Sequence, residues 1–102
     1  MDKKQLAIEK HKEWKGKIEV ISRAKVTTPE ELSIAYTPGV AEPCLLIAGD
    51  EDTAYDYTRK GNLVAVITDG TAVLGLGDIG PPAGMQVLEG TGATFKQFAG
   101  VD

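Results

Sequence analysis

Residues 63–80 read LVAVITDGTAVLGLGDIG, and the fold turns on how this stretch is taken. Its first six residues are β-branched, apolar on both faces and bounded by turn residues, which predicts a buried strand. Asp69 and Gly70 then supply the positive φ angles of a tight hairpin turn, so a second strand is expected over 72–76. The following Gly75-Leu-Gly77-Asp-Ile-Gly80 has the spacing of a dinucleotide-binding loop. Such a loop needs a helix opening at its last glycine and an acidic residue about 20 positions later on a second strand. Here Pro81 and Pro82 follow at once, no long helix is expected, and the downstream position falls at Asp102 with no second strand before it. Eight of the twelve glycines lie from Gly70 onward, so glycine spacing alone is a weak signal. These glycines are read instead as places where backbone passes close to backbone or to a small ligand.

Upstream, the chain reads as helical. Residues 3–14 are rich in helix formers, with a weak stripe of Leu6, Ala7, His11 and Trp14, and Gly16 is a plausible stop. The single histidine, His11, is read as a helix-surface or packing residue. KIEVI (17–21) alternates weakly and predicts a short strand or an extended connection. Thr28-Pro29-Glu30-Glu31 is a capping box opening a helix over about 29–35 that delivers Tyr36 at its end. A second helix is expected near 40–48, with Pro43 tolerated in its first turn and Gly49 closing it. EDTAYDYT (51–58) predicts a third short helix, and Lys60-Gly61-Asn62 a turn. The fold expectation is therefore α+β, or a fragment of an α/β enzyme. N-terminal helices would pack on a small sheet of 63–68 and 72–76, with glycine-rich loops and one weak helix near the C-terminus.

Composition narrows the functional classes. The chain has 102 residues, 42% hydrophobic and 25% charged, as in an ordinary globular domain, and carries a net charge of −4. No basic field exists to attract phosphate backbones or anionic lipid, so nucleic acid and membrane are not expected partners. The charged N-terminus does not resemble a secretion signal, and no apolar run approaches the length of a membrane span. The lone cysteine, Cys44, sits in the apolar run CLLIA and is expected to be a small buried hydrophobe, consistent with the reducing cytoplasm.

Three stretches, LSIAYTPGVAEPC (32–44), AYDYTRKGNLVAVITDGTAVLGLGDIGP (54–81) and FKQFAGVD (95–102), together resemble the N-terminal part of malic enzymes. These are the bacterial-type, oxaloacetate-decarboxylating malate dehydrogenases, and the resemblance runs from about Gly16 to Asp102. It implies that residues 1–102 are a partial, substrate-side N-terminal domain without the family's nicotinamide-binding Rossmann domain. For the full-length family it implies NAD(P) and Mg²⁺ or Mn²⁺; no cofactor and no metal ligands are expected within this chain.

The family reaction removes hydride from C2 of malate while a base takes the hydroxyl proton. It then expels CO₂ with a divalent metal polarising the new carbonyl, and an acid protonates the enolpyruvate. In malic enzymes the acid is a tyrosine of the YTPGV motif, which matches Tyr36. The base is a lysine after the glycine of V-M-E-G-K; this chain writes VLEGT, placing Thr91 there. The loop of Gly70, Gly75, Gly77, Asp78 and Gly80 corresponds to the family's substrate side. A free lysine loses its proton near pH 10.4 and a free phenol near 10, and packing the two together brings both toward neutrality. Threonine has no proton to exchange in that range. Lys60 and Lys96 are the other amines weighed for the role, and both read more simply as solvated surface lysines. The resemblance therefore implies a truncated domain that does not turn over malate alone and holds a malate-like molecule weakly. The alternative is a non-catalytic assembly module forming a homo-oligomer, such as a segment-swapped dimer, because unpaired strand edges recruit partners.

Overall fold

A computed structural model describes residues 2–102. Five α-helices follow in order: α1 (Lys3–Trp14), α2 (Pro29–Ala35), α3 (Ala41–Gly49), α4 (Ala54–Tyr57) and α5 (Gly80–Ala99). Single 3₁₀ turns occupy Glu51–Thr53 and Arg59–Asn62. The chain divides into two units, one combining the residues up to Glu19 with Val64–Asp102, the other Val20–Leu63.

In the first unit, α1 starts at Asp2, whose carboxylate accepts the Gln5 N–H at 2.8 Å. It stops one residue before the expected glycine: Lys15 takes the left-handed conformation (φ 53°) and its N–H reaches the His11 carbonyl. The α+β expectation is corrected here. Among the described residues there is no sheet, and the only bridge pairs Val73 with Gly77. Residues 63–68 have the composition of a strand, but a strand exists only through a neighbour that exchanges hydrogen bonds with it. Among the described residues the backbone bond made there is from the Val64 N–H to the Asp102 carbonyl, at 3.0 Å. The hairpin expected at Asp69-Gly70 is also replaced. The tight reversal lies four residues on, where Val73 and Gly77 exchange N–H···O bonds of 2.8 and 2.7 Å.

The second correction is α5, a helix of 20 residues where only a weak one was expected and none directly after Gly80. Proline is compatible with a first helical turn, because the N–H groups there have no intrahelical partner to lose. Pro81 and Pro82 sit in that turn, and the N–H groups of Ile79 and Gly80 both donate to the Gly70 carbonyl, at 3.0 and 3.2 Å. Gly84, one turn in, lets the helix lie against that loop. A Cβ on it would stand 3.1 Å from the Gly70 Cα. Gly70 and Gly84 are the two buried residues among those described.

In the second unit, Thr28 caps α2 as anticipated, accepting the Glu31 N–H at 3.2 Å. The Glu31 carboxylate does not complete a capping box; it accepts the Thr27 hydroxyl at 2.8 Å. Helix α3 carries Pro43 in its first turn and includes Gly49, with Asp50 extended behind it. Cys44 is exposed, which corrects the expectation of a buried thiol. Residues 17–21 form no regular element.

Candidate functional site

The loop 70–80 is organised around the Gly70 peptide. Asp69 Oδ1 accepts both the hydroxyl (2.8 Å) and the N–H (3.0 Å) of Thr71, and Gly70 N–H donates to Thr68 Oγ1 at 3.0 Å. The Thr71 hydroxyl first, and its N–H second, hold the Asp69 carboxyl below its ordinary value. A depressed carboxylate supports the folded loop above its unfolded value and loses that support as pH falls through the folded one. An open depression beside it is lined by Ile67, Thr68, Asp69, Thr71 and Ala72. Gly75, Gly77 and Gly80 all have positive φ, and Asp78 is exposed between the last two.

The loop does not fit a pyrophosphate. An anion at a helix N-terminus is held by N–H groups left without partners. Here the N–H groups of Ile79 and Gly80 are spent on the Gly70 carbonyl, and the next two residues are prolines. Nor do the donors fit a divalent ion, since no three His, Cys, Asp or Glu side chains converge among the described residues.

Tyr36 lies in the second unit as the residue that closes α2. Its N–H donates to the Leu32 carbonyl, its own carbonyl accepts the Val40 N–H at 2.7 Å, and its ring is exposed. A cis peptide joins Thr37 to Pro38 just after it. Thr91 lies in the first unit, half-buried on α5, its hydroxyl turned back on the Val87 carbonyl at 3.3 Å. Of the two alternative amines, Lys96 is paired with Asp102 at 2.7 Å and Lys60 sits 5.4 Å over the Tyr55 ring.

Sequence reading missed a group around Lys17. The Lys17 N–H donates to Glu89 Oε2 at 2.7 Å, joining residues 72 positions apart. Its ammonium lies 3.1 Å from His11 Nε2, while His11 Nδ1 is 2.7 Å from the Ala7 carbonyl. A carbonyl only accepts, so Nδ1 carries the proton and Nε2 receives the lysine's hydrogen. The Trp14 ring stands edge-on to the imidazole, with centroids 5.2 Å apart. No local spacing in the sequence signals this meeting.

Comparison with known proteins gives the wider frame. No helix among the described residues is long and apolar enough to cross a membrane. The bifunctional malic/malolactic enzyme of Bacillus subtilis is 55% identical over 102 residues, all of this chain and 25% of that protein. The NAD-dependent malic enzyme of Geobacillus stearothermophilus is 60% identical over 87 residues, 85% of this chain and 18% of that one. The crystal structure of the NAD-dependent malic enzyme of Thermotoga maritima superposes with a TM-score of 0.88 at 46% identity, covering 94% of this chain and 27% of that one. The chain thus spans a quarter or less of the length of these two sequence relatives. The family model for the malic enzyme N-terminal domain matches residues 15–102, a span that takes in Lys17 and Glu89, the loop 70–80 and the VLEGT stretch of α5, and this chain belongs to that family.

Proposed function

We propose that this chain forms the substrate-side portion of an NAD(P)-dependent malic enzyme and, by itself, does not turn malate over. The observation that carries the reading is the match, over 85% of this chain, to relatives named as NAD- or NADP-dependent malic enzymes. Tyr36 takes the family's acid position. Thr91 takes the base position, where its hydroxyl bonds to a carbonyl of its own helix and accepts no substrate proton. The loop of Gly70, Gly75, Gly77, Asp78 and Gly80 forms the wall against which a malate-like dicarboxylate rests, in the cytoplasm. Oxalate, a stable relative of the reaction's enolate, is the probe. In an amide-resolved NMR titration of the chain, shifts are expected within 70–80 and 89–91, and NADH is expected to cause none in that loop. Dispersed peaks that ignore oxalate would refute the reading.

A second reading, a homo-oligomeric assembly module, is favoured by one observation: no described hydrophobic side chain is buried. The accessible surface is 8624 Å². A compact protein of this length exposes roughly 5500 Å², and two separately compact halves about 6700 Å² together. The remainder, on the order of 2000 Å², is enough for an obligate interface, and in a longer chain the rest of the protein would cover it instead. Leu45 and Leu46 on α3 are 67% and 53% exposed, on a helix whose sequence is nearly all apolar. Sedimentation velocity is expected to find a dimer or larger species at micromolar concentration. A monomer at 1 mM, on the order of the weakest specific affinities, would count against assembly through this chain alone.

A further inference from the structure

Thr91 removes an ammonium from the VLEGT stretch of α5, and the fold brings another to it. Lys17 Nζ lies 3.6 Å from where a Cβ on Gly90 would stand, one residue from Thr91. The hydrogen-bond partner of this ammonium is the neutral imidazole of His11, and among the described residues it forms no ion pair. A lysine held by a carboxylate has its charge met, as Lys96 has with Asp102. A lysine held by a neutral ring nitrogen is oriented, yet keeps its full charge for a ligand. Glu89 accepts the Lys17 backbone N–H through Oε2 at 2.7 Å, and the two side chains form no ion pair. Lys17 and Glu89 are both half-buried, so a ligand carboxylate meeting the ammonium there is less screened than at the open surface.

We propose that Lys17, oriented by His11, is the cation that receives one carboxylate of a malate-class dicarboxylate beside residues 89–91. The inference rests on the substrate-side reading above and adds the residue that binds. Lys17 holds charge rather than moving a proton, so the base function at position 91 stays unfilled.

The test is reductive methylation of the full chain with formaldehyde and cyanoborohydride, with and without oxalate, each lysine being quantified by peptide mass spectrometry. Oxalate is expected to slow labelling of Lys17 about threefold or more, while Lys60 and Lys96 label at unchanged rates. Lys17→Met, which keeps the backbone N–H to Glu89, is expected to weaken oxalate binding about tenfold, as loss of one charged hydrogen bond does; Lys96→Met is expected to leave it unchanged. If oxalate shifts the 70–80 amides but leaves Lys17 unprotected, this assignment falls and the substrate-side reading stands. If oxalate neither protects an amine nor shifts an amide, both fall.

Discussion

Thr91→Lys is expected to raise malate oxidation by about a hundredfold or more when this chain replaces the matching 87 residues of the Geobacillus stearothermophilus enzyme. On the proposed assignment, threonine leaves the hydroxyl proton of malate without an acceptor at position 91. A lysine at 91 restores one, and the Lys17 ammonium beside Gly90 disfavours a second positive charge, releasing the proton nearer neutrality. The readout is steady-state NADH formation as a function of pH, with Thr91→Met as the control for side-chain bulk. The lysine variant alone should gain, with activity rising through the pH range in which the new amine loses its proton. Equal gain from methionine, or no gain from either, would remove position 91 from the proton-transfer step.

Gly70→Ala is the substitution expected to cost the most stability, about 3 kcal/mol or more. Gly70 has φ 74°, a region that costs an L-residue about 1–2 kcal/mol. Its Cβ would also fall on the Gly80 carbonyl, displacing the peptide that the α5 N–H groups of Ile79 and Gly80 bond to. Gly75→Ala is the matched control. It has φ 82° and nothing within 4 Å of the added carbon, so it should cost only the backbone term of about 1–2 kcal/mol. Urea unfolding followed by circular dichroism, with amide exchange across the start of α5, measures both. Equal costs would mean that the close approach of the loop to α5 contributes nothing.

Most signals with a local cause were legible, the exception being the tight reversal, expected at Asp69-Gly70 and found at Val73–Gly77. Thr28 caps α2 because a short oxygen-bearing side chain reaches an N–H three residues on, a relation written within four letters; Asp2 does the same for α1, a cap the sequence reading did not name. Helix α3 and the short turns after it follow from composition and proline placement in the same way. The two large errors were of another kind. Residues 63–68 look like a strand because β-branched apolar residues suit one, but pairing depends on a neighbouring strand, and the described residues form no sheet. Thr91, Gly92 and Thr94 read as weakening the last helix, an interior glycine costing about 1 kcal/mol against alanine. Gly84 is where the helix approaches the Gly70 loop too closely for a side chain, so its cost is offset by packing that propensity does not register.

The candidate site divides along the same line. Tyr36, Thr91 and the glycine loop were named from motif letters, because those motifs are long and their residues are near neighbours in sequence. Lys17 was invisible, since its meeting with Glu89 closes 72 residues of chain and obeys no period. The sequence by itself determined the family and the helix starts of α1 and α2, and it motivated the proposal that Thr91 stands in the place of the family's lysine. Only the tertiary structure decided that a double proline opens a 20-residue helix and that the Lys17 ammonium stands beside Gly90. The physical reason is reach: caps and turns act over three or four residues, whereas a shared carbonyl at Gly70 and an ammonium beside Gly90 exist only once distant segments meet.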